Sequence, residues 1–171
     1  MKMRFDFPDD AFPAERRRGA APVGHLQELP PAELAAIVYL RAWCEGGAER
    51  QIISEDFRRV MGDAEGVHAV DTFNALMGVL LRNARRPIMR HGLGCRCFGG
   101  DESAFAQMLA AAVSQDRDDA MLFAATLVKG DAAWAAVQLA VDLQQVFLRL
   151  TRMPSASQPP KHGPKRSAYH H

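Results

Sequence analysis

Val67-His68-Ala69-Val70-Asp71-Thr72-Phe73-Asn74-Ala75-Leu76-Met77-Gly78-Val79-Leu80-Leu81-Arg82-Asn83-Ala84-Arg85 decides the fold class. Val67, Val70, Phe73, Met77, Leu80, Leu81 and Ala84 recur mostly at steps of three and four residues. That spacing lines one face of an α-helix. Pro87, which has no backbone N–H to donate, is expected to stop the helix near Arg85.

The same period continues on both sides. Pro30-Pro31 suits the first turn of an earlier helix, since proline is tolerated there. Leu34, Ile37, Leu40 and Cys44 fall on its apolar face, and Gly46-Gly47 ends it. Ser54 is a plausible cap for a short helix to about Met61. Downstream, Asp101 is expected to cap a helix carrying Phe105, Met108, Leu109, Ala112 and Val113. Asp116 is expected to cap another, with Leu122, Ala125 and Leu127. A last helix spans Ala132 to about Leu150, with Trp134, Val137, Val141 and Leu148 on one face. The paired acids Asp101-Glu102 and Asp118-Asp119 read as helix starts, where the dipole favours carboxylates.

Composition agrees. Apolar residues make up 48% of the 171 residues and aromatics only 8%, with alanine and leucine prominent, which favours helices over sheets. A chain of this size buries roughly 70% of its unfolded surface and needs no staple. The expected fold is all-α: about six helices in one bundle-like domain over residues 31–152, with a Gly/Cys-rich loop between the third and fourth helices. Residues 1–30, proline-rich and charged, read as an extended N-terminal arm. Residues 153–171 read as a flexible, disordered basic tail.

That loop, His91-Gly92-Leu93-Gly94-Cys95-Arg96-Cys97-Phe98-Gly99-Gly100, is the one segment not explained by packing. It holds two of the three cysteines, a histidine and four glycines, with no acid. Thiolates and imidazole are good zinc ligands, and glycines let the backbone wrap closely around a centre. Zinc prefers four ligands, and only three are local. The expected metal set is His91, Cys95, Cys97 and Cys44, with His25, His68 or Asp101 as other sources of the fourth. Cys44, in line with Ile37 and Leu40, fits the core better than a ligand position. The Cys-x-Cys bite differs from the Cys-x-x-Cys pairs of common zinc knuckles.

Other chemistries use the same segment. Arg96 and Arg90 beside the thiols, with the dipole of the following helix, would favour thiolate and suit a redox sensor or thiol-dependent enzyme. No third group completes a catalytic set around His91 and the cysteines. The glycines also suit a phosphate nest, but the Gly-Lys-Ser/Thr ending is absent and the loop follows a helix rather than a strand.

Charge is distributed in blocks although the net is only +1. Thr72–Gly100 holds five arginines and no acid. Asp101–Leu148 holds seven acids against Arg117 and Lys129, and the tail from Arg149 carries five cations and no acid. The two middle blocks are expected to neutralise each other in part. Arg16-Arg17-Arg18 and the tail leave a nucleic-acid-associated adaptor as a further alternative. A helix-turn-helix over 54–61 and 67–85 is disfavoured, because the second helix opens with His68, Asp71 and Thr72 rather than base-reading Arg, Lys or Gln.

The odd cysteine count argues against a disulfide framework, and the N-terminus has no signal-peptide core. No apolar run reaches membrane-spanning length. The expectation is therefore a cytoplasmic protein that binds zinc through the 91–97 loop, acting on protein partners in an accessory or regulatory role rather than by turnover.

Overall fold

The computed structural model describes residues 19–152, which fold into seven α-helices and one two-stranded antiparallel sheet. The elements run β1 (Pro22–His25), a 3-10 turn (Leu26–Glu28), α1 (Pro31–Glu45), α2 (Ala48–Met61), α3 (Asp63–Asn83), β2 (Cys97–Gly99), α4 (Gly100–Val113), α5 (Arg117–Leu127), α6 (Gly130–Asp142) and α7 (Gln144–Arg152). The all-α, bundle-like class is as expected, with the Gly/Cys-rich loop between α3 and α4. No described helix is long and apolar enough to cross a membrane. Arg16–Arg18 and the tail from residue 153 lie outside the described residues.

Several boundaries differ from the sequence reading, each for a physical reason. The helix expected from Ser54 begins at Ala48, because Gly46 and Gly47 take positive φ (76° and 58°) and reverse the chain in two residues. Ser54 is therefore inside α2 and caps nothing. The helix expected from Val67 begins at Asp63, directly after Gly62 (φ 87°), with Asp63 and Glu65 in its first turn beside the positive dipole end. It ends at Asn83, before Pro87 acts. There the backbone turns extended at Ala84 and bridges Val128, with Arg85 N–H donating to the Leu127 carbonyl at 3.0 Å.

The helix expected over 132–150 is two helices. The chain turns at Leu143 with no glycine or proline to announce it. The turn brings Val146 and Phe147 into the core. Phe147 meets Tyr39 and Phe57 edge to face, with ring centroids 6.2 and 6.4 Å apart. Phe57 also packs edge to face on Tyr39 and Phe73, at 5.4 and 5.8 Å. This four-ring cluster joins α1, α2, α3 and α7.

The buried faces are narrower than the apolar stripes implied. On α3, Phe73, Leu76, Met77 and Leu80 are buried while Val67 is exposed. On α5 and α6 the buried faces are built mainly from alanines, among them Ala120, Ala124, Ala133, Ala136 and Ala140. Leu122 and Trp134, expected inside, are 66% and 62% exposed. Small residues let helices approach closely, and the bulky ones are left at the rim. Asp116 does cap α5, accepting the Asp119 N–H at 3.1 Å.

Residues 22–28, read from sequence as part of an extended arm, form β1 and the 3-10 turn. β1 pairs with β2 so that Gly24 opposes Phe98 and His25 opposes Cys97. This ties the N-terminal side of the chain to the cysteine loop.

Phe57 is fully buried and touches three other rings. Phe57→Ala is expected to lower unfolding free energy by about 3–5 kcal/mol, read as a lower midpoint in urea denaturation with an unchanged slope.

Candidate metal centre

The loop from His91 to Gly99 is shaped by two buried charges that come from outside it. Arg41 on α1 is 1% exposed and Glu102 in the first turn of α4 is 0% exposed. Arg41 Nε donates to Glu102 Oε1 at 2.7 Å, and Nη2 donates to Oε2 at 3.1 Å. The remaining N–H groups reach the loop backbone. Nη1 donates to the carbonyls of Gly92 (3.1 Å) and Cys95 (2.8 Å), and Nη2 to that of Cys97 (2.7 Å). A guanidinium has five N–H donors, and these five bonds use all of them.

Glu102 is equally well served. Beyond Arg41 it accepts the backbone N–H of His91 (3.1 Å) and of Gly99 (2.9 Å). Its Oε2 also lies 2.8 Å from His91 Nδ1. Burial pushes its carboxyl up, but hydrogen bonds from Arg41, His91 and Gly99 outweigh this and hold it below the usual carboxylate range.

Asp101 does not cap α4 as expected. Its carboxylate takes a bidentate pair from Arg86, both bonds 2.6 Å, and accepts the Met89 N–H at 2.8 Å. The helix instead starts at Gly100 after Gly99, and the Glu102 bond to Gly99 N–H supplies one cap. Gly99 is needed for closeness. A Cβ there would stand 2.5 Å from the Gly19 carbonyl oxygen. Its N–H and the Gly92 carbonyl are both committed to the Arg41–Glu102 pair. The phosphate-nest reading thus loses the Gly99 N–H it would need.

His91, Cys95 and Cys97 converge. One ligand atom from each lies within 4.8 Å of the others, a group able to hold a metal ion. The two sulfurs are 2.7 Å apart, both as free thiols. Their contact splits them: the hydrogen bond from Cys97 lowers the Cys95 thiol, and the same bond raises that of Cys97. The cation that acts on both is Arg41, behind the loop. Arg96, expected from sequence to do this, is exposed, and Arg90 is paired with Glu45 at 2.9 Å.

Cys44 is not part of this group among the described residues. It lies partly buried against the core near the end of α1, where burial pushes its thiol up against the pull of Arg90. The core reading of Cys44 therefore describes its surroundings. His68 is exposed on α3, and Asp101 is committed to Arg86. Of the other residues considered as a fourth ligand, His25 also lies outside this group, though β1 sets it directly across the sheet from Cys97.

Arg41 and Glu102 were missed as site residues by sequence. A signal existed for each. Arg41 is the single charge between Glu33 and Glu45 on an otherwise apolar helix, and Glu102 sits three residues after Gly99, at capping-box distance.

Removing one partner of a buried ion pair strands the other, so Arg41→Met is expected to cost about 3–5 kcal/mol. Glu102 titrates lower folded than unfolded, so its contribution is complete above its ordinary value near 4.5 and is lost as pH falls through the folded value. Denaturant melts from pH 7 to pH 3 should show a steeper acid loss for the native chain than for Glu102→Gln. No family model matches this chain, and no curated protein or solved structure is significantly similar to it.

Proposed function

We propose that this protein binds zinc at His91, Cys95 and Cys97, and that it acts as an accessory or regulatory protein through protein partners rather than by turnover. The observation that carries the reading is the carboxylate behind the histidine. Glu102 engages His91 Nδ1, which leaves Nε2 to face a metal. A carboxylate on the far nitrogen is the usual support for a metal-bound histidine, because it sets the tautomer and orients the ring. The donor set of two thiolates and an imidazole suits zinc. Tetrahedral zinc spaces its ligands about 3.3–3.8 Å apart. One donor atom of each residue lies within 4.8 Å of the others, and the two sulfurs, 2.7 Å apart, would move apart to reach that spacing.

His25 is the best source of the fourth ligand. Directly opposed residues in an antiparallel pair carry their side chains on the same face, with Cβ atoms about 4.5–5.5 Å apart. The adjacent pair faces the other way. Phe98 is buried in the core, and a Cβ on Gly24 would stand 2.8 Å from its ring. His25 and Cys97 therefore share the opposite face. A zinc bound by both would fasten β1 to β2.

The thiol pair supports a second reading, a redox sensor or thiol-dependent enzyme using Cys95 and Cys97, since one sulfur favours thiolate at the other's expense. Labelling kinetics separate the two. A zinc site labels slowly and speeds up with chelator; a reactive pair labels fast below pH 7 without one.

Elemental analysis of the untagged full chain, prepared without added metal, is expected to find one zinc per chain. Cys95→Ser/Cys97→Ser should lose it and Cys44→Ser should keep it. Metal well below one equivalent, or equal metal in the double variant, overturns the proposal. With cobalt in place of zinc, His25→Asn should alter the absorption of a four-coordinate thiolate site, while an unchanged spectrum removes His25 from the ligand set. Binding should weaken as pH falls, because the ligands must shed protons to bind.

A further inference from the structure

A cavity of about 920 Å³ lies between α1, α3 and the segment from Ala84 to His91. It falls in the size range of small-molecule sites. Leu40, Trp43, Met77, Leu81, Ile88 and Met89 supply apolar wall. Four arginines, Arg82, Arg85, Arg86 and Arg90, line it too, and among the described residues no acid does.

The four arginines are not equivalent. Arg86 is neutralised by Asp101 and Arg90 by Glu45. Among the described residues, Arg82 and Arg85 are paired with no carboxylate. Arg90 has a further unmet need: its Nε is buried and has no hydrogen-bond partner there. The acid-free arginine stretch of the sequence thus has two destinations. Part of it ties down the loop, and part supplies positive charge beside an apolar hollow.

We infer that this cavity is a binding site for a small amphipathic anion, an apolar body with a carboxylate, sulfonate or phosphate head. The apolar wall takes the body by the hydrophobic effect. Arg82 and Arg85 take the head, with guanidinium geometry suited to all three anions. The inference stands on the cavity and its charges alone and does not depend on metal at His91, Cys95 and Cys97.

Titration calorimetry on the full chain tests it, with decanoate, decyl phosphate and decanol as probes. One saturating site is expected for at least one of the two anions, with decanol weaker by about tenfold or more. Affinity for the anion should fall as salt is raised. Arg82→Ala/Arg85→Ala should weaken the anion by about tenfold and leave decanol unchanged. Gly78→Leu fills the cavity from α3. The nearest atoms a Cβ there would meet are the guanidinium end of Arg82, at 2.9 Å, and leucine is the better helix former, so the fold is expected to hold. This variant should abolish binding of every probe. Decanol binding as tightly as the anions, anion binding unchanged in Gly78→Leu, or no saturable binding to the native chain overturns the inference. The last result includes the case in which the chain's own residues fill the hollow.

Discussion

Arg41 and Glu102 meet in the interior, one from the middle of α1 and the other from the first turn of α4. Neither charge has water to solvate it. Isolated burial of either would cost several kcal/mol, so both must be saturated by partners. Their partners are each other and the backbone of residues 91–99. The constraint runs in both directions. The loop's carbonyls and N–H groups answer the ion pair, and the ion pair is tolerable because the loop wraps it. A buried pair of this kind contributes little as an attraction, since desolvation offsets it. Its effect is to specify one loop shape.

That shape is what makes the cysteine motif a site. His91, Cys95 and Cys97 converge on a loop whose backbone is held by a guanidinium and a carboxylate. The same carboxylate bonds His91, so one side chain both holds the loop and orients a candidate ligand. Arg86 and Asp101 repeat the device one residue away, bonding the segment after α3 to the start of α4. The alternating charge blocks seen along the sequence are joined at this boundary, though only in part: Arg82, Arg85 and Arg96 remain exposed.

Much of the fold was legible because helical periodicity is a local property. The start of α1 at Pro31, its end at Gly46 and the Asp116 cap all rest on residues a few positions apart. The split at Leu143 was not legible. It is driven by Phe147 reaching Tyr39 and Phe57, ninety or more residues away in the chain. The end of α3 at Asn83 depends on a bridge from Ala84 to Val128, and β1 depends on a partner strand over seventy residues downstream. Each of these is a long-range contact, which no window of sequence contains.

By itself the sequence determined the helical class, the position of the cysteine loop and three residues of the candidate centre, because apolar period and donor chemistry are written residue by residue. Only the tertiary structure decided what surrounds them. It left Cys44 with the core, set His25 across from Cys97, and put Arg41 and Glu102 behind the loop. Those placements follow from how helices far apart in the chain pack, and from the requirement that a charge taken out of water must find every one of its partners.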